Sequence, residues 1–290
     1  MPTAAPGDPL GRALEEAVAG RPRALHDLLA RGSRLPGARM NDALADAFAQ
    51  ACRTAGARAD AVALAMARLD ADAAPGATSL EFLPVCGLYA LAARAAAEAR
   101  FRPRAVAELH ARADDLRFRV RDAVVVALAR IGAACGDALV GEVAPWMDGY
   151  FHAAAVVRAL ARDEWLAALR DAAGVVARLD EAFTLALDAP RAAARYPGHK
   201  ALTEALARAP GDIAARLGVP VFDMLERAAP RADPPLREAI AAAVASKKLP
   251  GRYSSEVARV RRALDASLPP PRNPDHDFGP TRRRGGKRRR

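Results

Sequence analysis

Apolar residues along this chain recur at intervals of three and four, and nowhere alternate with a period of two over a useful length. The clearest stretch runs from Arg104 to Cys135. Within it Val120, Ala123, Val124, Ala127, Leu128 and Ile131 fall at i, i+3, i+4, i+7, i+8 and i+11, one stripe with a period near 3.6. Val125, Val126 and Ala129 widen that stripe beyond what a surface helix needs, which predicts a helix covered on more than one side. A shorter helix precedes it, with Val106, Leu109, His110 and Ala113 on one face, Pro103 near its first turn and Asp114-Asp115 in the connecting turn. Such a pair cannot bury its apolar faces alone and needs neighbours.

The pattern repeats. Shifted by 32 residues, Ala123–Arg130 falls on Ala155–Arg162 with seven of eight positions identical. The valine pair, the leucine and the arginine carry the weight, because an alanine-rich chain matches itself easily. A weaker copy occupies Asp233–Val244. Asp115, then Val120-Arg121-Asp122-Ala123, then Leu128 and Gly132, resembles the HEAT-repeat pattern over about thirty residues. The resemblance implies an α-solenoid of stacked antiparallel helix pairs, with Asp115 and Arg121 joining a polar ladder between repeats. Met147 and Ala153 replace these two residues one shift on, so the ladder is expected to be interrupted and the repeats irregular. Fixed-period similarity points to the same architecture.

The resulting expectation is an all-α chain: a flexible N-terminus over 1–8, a HEAT-like repeat domain over 9–267, and a Pro-rich then Arg-rich disordered tail over 268–290. Helices are predicted to follow Asp8-Pro9, to run from Pro22 to Gly32, and to span about 41–55, 61–69 and 80–100, the last capped by Ser79. Asp137 and Asp163 read as further caps, with helical pattern continuing from Asp163 to Leu187. Pro190, Pro197-Gly198 and Pro210-Gly211 read as breaks between shorter helices. One repeat-like pair of helices over 219–229 and 234–246 and a closing helix over 254–268 complete the domain. The apolar stretch near Phe82–Ala93 stops at Arg94 and reads as too short to span a bilayer.

Charge sharpens one part of this picture. The net charge is +10, but residues 268–290 alone contribute +6, leaving the body only mildly basic. Arg282, Arg283, Arg284, Lys287, Arg288, Arg289 and Arg290 form a segment able to follow a phosphate backbone without reading bases. Nucleic acid or another polyanion is therefore an expected partner of the tail. Forty of the 44 basic residues are arginine and alanine is abundant, a bias that a GC-rich genome also produces. Cys52, Cys86 and Cys135 are odd in number and far apart, as in a reducing compartment. With no basic start followed by an apolar run at the N-terminus, a cytoplasmic location away from membranes is expected.

Catalytic signatures are missing. The five histidines form no close sequence pair, so no His-x-x-x-His metal motif is present. There is no Gly-x-Ser-x-Gly and no phosphate-binding Gly-Lys-Ser/Thr, and Gly132-x-x-x-Gly136 follows a helix rather than a strand. No metal or cofactor is expected. Trp146, Tyr150, Phe151, His152 and Trp165 lie within twenty residues, either filling space that alanines leave or presenting Trp146, Tyr150 and Trp165 to a partner. The leading expectation is a non-enzymatic scaffold for an unidentified protein partner. The alternative is a DNA-interacting repair factor. Some HEAT-like bacterial proteins are DNA glycosylases that use a concave basic face, tryptophans and an acidic residue, and that resemblance rests on fold alone.

Overall fold

Side-chain caps set where several helices begin. Asp8 accepts from the Leu10 N–H at 3.0 Å, Asn41 from Leu44 at 3.2 Å and Asp233 from Leu236 at 3.1 Å, each answering a donor that a helix start leaves without a partner. The computed structural model describes residues 8–249 and 251–266; all but Asp8 of the expected N-terminal segment 1–8, and the expected tail 268–290 with its seven named basic residues, lie outside them. Among the described residues the chain is all-helical, with no strand. The helices are α1 (Pro9–Val18), α2 (Arg23–Gly32), α3 (Asp42–Ala55), α4 (Asp60–Ala67), α5 (Phe82–Ala97), α6 (Arg102–His110), α7 (Phe118–Cys135), α8 (Asp137–Glu142), α9 (Tyr150–Leu160), α10 (Asp163–Ala168), α11 (Ala172–Leu187), α12 (Pro197–Leu217), α13 (Val219–Ala228), α14 (Pro234–Val244) and α15 (Ser254–Ala266).

A row of helices carries most of the packing: α3 lies on α5, α5 on α7, α7 on α9, α9 on α12 and α12 on α14. The other helices flank this row, α4 on α5, α10 on α7, α11 between α9 and α13, and α15 on α13. Substantial helix packing links elements within three positions of each other in chain order. The two segments related by a shift of 32 share buried positions. Val124, Ala127 and Leu128 of α7 and their equivalents Val156, Ala159 and Leu160 of α9 are all fully buried. At one position the two copies diverge: half-buried Val126 in α7 corresponds to exposed Arg158 in α9.

Four local expectations change. The helix predicted from Asp163 to Leu187 is two helices, α10 and α11. The Asp137 carboxylate draws the backbone N–H groups of Arg170 (3.0 Å) and Asp171 (3.1 Å) out of the helical ladder, and Asp171 then caps α11 through Ala173 and Gly174. Asp137 itself is therefore not a helix cap. In contrast α12 runs unbroken through Pro210-Gly211. Gly211 is where α14 comes closest: a Cβ there would sit 2.4 Å from the Ala243 carbonyl oxygen. Packing at that crossing outweighs the backbone hydrogen bond that proline removes. Finally, the helical run Ser79–Ala97 is 19 residues long, enough by length and composition to cross a membrane, yet 78% of its apolar window is buried in this fold. It is the core helix against which α3, α4 and α7 pack. Its Arg94 is buried too, held by Asp60 at 2.6 Å and Glu98 at 3.0 Å.

Candidate functional site

The turn between α6 and α7 is tied to the loop after α4 through Arg117. Its guanidinium donates to the carbonyl oxygens of Leu69 (2.7 Å), Asp70 (2.9 Å) and Ala74 (2.8 Å) and to the Asp115 carboxylate. Burial alone would push the Asp115 carboxyl up; the hydrogen bonds from Arg117 outweigh it and hold the carboxyl below its ordinary value. Arg117 and Arg119 are thus structural. Arg119 pairs at 3.0 Å with Glu81, a carboxylate only 1% exposed. Arg121 bonds back to the Asp115 and Leu116 carbonyls and lies over the Phe151 ring at 4.6 Å. Asp115 and Arg121 do not meet side chain to side chain: the carboxylate goes to Arg117 instead.

The aromatic residues do not form one surface. Trp165 is fully buried against Gly132, where a Cβ would lie 2.2 Å from the indole, and its Nε1 donates to the Gly136 carbonyl at 3.1 Å. Trp146 is 2% exposed. Trp165 is enclosed in the interior, whereas Trp146, though nearly buried, shows an edge to a neighbouring cavity. Tyr150 is half-buried, with its ring edge-on to His199 at 5.2 Å.

A groove does open beside α7, α9 and α12. Two adjoining cavities of about 330 and 380 Å³ share Val125, Arg158, Ala201 and Glu204. Alanines from α9 and α12 (Ala154, Ala155, Ala201, Ala205) give the groove a low floor. Its walls carry five basic side chains, Arg121, Arg158, Arg162, Lys200 and Arg208, against two acidic ones, Glu204 and Asp212. Arg158 pairs with Asp122 at 2.8 Å, Arg162 with Glu164 at 2.7 Å, and Asp212 with Lys248 at 2.8 Å. Lys200 and Arg208 are exposed and have no ion pair among the described residues. Neither residue stood out in the sequence, because each sits singly on a helix whose charges alternate every four residues: Lys200, Glu204, Arg208, Asp212.

Sequence spacing also hid a histidine pair. His110, at the end of α6, and His152, in the first turn of α9, stack with centroids 4.0 Å apart. Asp148 stands between them, 3.0 Å from His110 Nε2 and 2.8 Å from His152 Nδ1. Searches against known protein families, characterised proteins and solved structures find no match to this chain.

Proposed function

We propose that this protein is a HEAT-like α-solenoid scaffold whose groove along α7, α9 and α12 receives an acidic helical or extended segment of a partner protein. The observation that carries this reading is the presence of Lys200 and Arg208, exposed and without ion pairs among the described residues, above a floor of alanines. Small side chains let a partner backbone approach closely, and fixed positive charges select acidic side chains and raise the association rate. The row of helices α3, α5, α7, α9, α12 and α14, and the shared burial of α7 and α9 at a shift of 32, support the solenoid reading. The Arg-rich tail adds a charged segment suited to a polyanion.

The glycosylase alternative draws support from the net positive wall of the groove and little else. Its expected tryptophans are buried away from that wall. The experiment measures binding of the full chain to a labelled Glu/Ala peptide and to duplex and single-stranded DNA across a salt series, with Lys200→Glu/Arg208→Glu and a 1–267 truncation alongside. The scaffold reading expects peptide binding that the double variant abolishes and the truncation leaves intact. DNA binding by the truncation that the double variant removes would replace it with the repair reading.

A further inference from the structure

We propose that His110, Asp148 and His152 form a binding site for a divalent transition-metal ion of the zinc class. This site is separate from the groove and does not depend on its role. One imidazole nitrogen from each histidine and the carboxylate lie within 4.8 Å of one another. Each ring directs a nitrogen at the same carboxylate, His110 Nε2 at 3.0 Å and His152 Nδ1 at 2.8 Å. Ligands about 2.0–2.1 Å from a tetrahedral zinc stand roughly 3.3 Å from each other, so side-chain adjustments of about an ångström bring the three donors around one ion. Two imidazoles and a carboxylate are a donor set for zinc, cobalt or nickel, whereas calcium and magnesium favour oxygen-only shells.

The local sequence builds this arrangement. Asp148 and His152 are spaced i, i+4 across the start of α9, and Gly149 leaves the room between them: a Cβ there would lie 2.8 Å from His152 Nδ1. Trp146 packs edge-on against His110 at 5.1 Å and walls one side. The cluster remains open to solvent, with Asp148 half-exposed and His110 a third exposed. A fourth coordination position would face a neighbouring cavity of about 480 Å³ whose wall includes Pro103, Val106, Pro145 and Trp146. Three protein ligands with one position left open is the pattern of a zinc site that exchanges ligands, in contrast to a closed four-ligand site. The ion would also join α6 to the start of α9, so binding stabilises the folded chain.

The test uses the full-length chain. Zinc is titrated by calorimetry, and cobalt is added as a spectroscopic probe, for wild type, His110→Gln, Asp148→Asn and His152→Gln, each checked for helical content by circular dichroism. The expected result is one zinc per chain and visible cobalt bands without the charge-transfer band of a thiolate. Each substitution should weaken zinc binding by about 100-fold or more, above the ~10–100-fold typical of an outer-shell partner. The zinc-dependent rise in melting temperature should vanish in the same variants. No cobalt bands, or zinc affinity unchanged in folded Asp148→Asn and His110→Gln, overturns the proposal and leaves the cluster as a hydrogen-bonded His-Asp-His contact. Thiolate bands would also overturn it, by moving the ion to a cysteine.

Discussion

Arg117 donates a 2.8 Å hydrogen bond to the carbonyl oxygen of Ala74, 43 residues earlier, across the junction between the loop after α4 and the turn before α7. Three of that loop's carbonyls are answered by a charged fork that is itself neutralised by Asp115. A lysine cannot reproduce the fork geometry. Arg117→Lys should cost about 1.5–3 kcal/mol, the range for hydrogen bonds to charged groups. Arg117→Ala should cost more, about 3–5 kcal/mol, by leaving the Asp115 carboxylate buried and unpaired. Urea denaturation of the three proteins checks the order.

The same pair fixes the acid limb of stability. The Asp115 carboxyl is held down in the folded state, so its contribution is present above its unfolded value of 3.8 and is lost as pH falls through the folded value. Urea midpoints measured from pH 5 down to pH 2 should decline less steeply in a folded Arg117→Lys variant, where the carboxylate is less well held.

At the alkaline end the sign reverses. Burial pushes the Cys52 thiol up to about 12, and Cys86, also buried, is raised well above 9.0. The folded state holds these protons while the unfolded chain releases them from about pH 9.0, so stability is full below that value and falls as pH rises toward 12. Each thiol steepens the fall by up to about 1.4 kcal/mol per pH unit. Cys52→Ala with Cys86→Ala should flatten the alkaline limb. In the native protein a thiol reagent should modify half-buried Cys135 first and reach the other two only on unfolding.

Gly132→Ala should be among the most damaging small substitutions in the chain. The added methyl would overlap the Trp165 indole, and both elements are packed on their other sides. Overpacking of this kind costs about 1–3 kcal/mol, occasionally more. A red shift of tryptophan emission should accompany the loss of stability, as the indole is forced toward solvent. A normal spectrum with unchanged stability would show that Trp165 has room to yield.

Charge reversal at Lys200 and Arg208 should leave stability within about 0.5 kcal/mol, as for other exposed sites. Breaking the exposed Arg158–Asp122 pair should cost about 1 kcal/mol or less. Peptide binding, by contrast, should depend on the first two residues. Loss of binding together with loss of fold in the Lys200/Arg208 variant would count against the groove.

The helical architecture was legible because α7 sets its apolar residues at i, i+3, i+4, i+7, i+8 and i+11. The break between α10 and α11 was not. Leu169-Arg170-Asp171 contains no glycine or proline, and the agent is Asp137, 33 and 34 residues away. Pro210 misled in the opposite sense, since the close approach of α12 to α14 overrides its local preference. The role of Arg117 was hidden because its carbonyl partners belong to a loop more than forty residues earlier. The histidine cluster left one trace in the sequence, the i, i+4 spacing of Asp148 and His152; its third member comes from another element.

Charged contacts between elements recur at nearly constant separation: 34 residues for Arg94–Asp60, 36 for Arg158–Asp122, Lys248–Asp212 and Arg259–Asp223, 38 for Arg119–Glu81, and 40 for Arg102–Glu142 and Arg68–Glu108. Closing loops of similar length costs similar entropy each time, about (3/2)RT ln n. Few such contacts wait on a distant part of the chain; Arg130–Asp46, 84 residues apart, is an exception. A polypeptide emerging from the ribosome can therefore set α3, α5 and α7 against one another before α12 and α14 have been synthesised, and each later helix finds a finished surface to settle on.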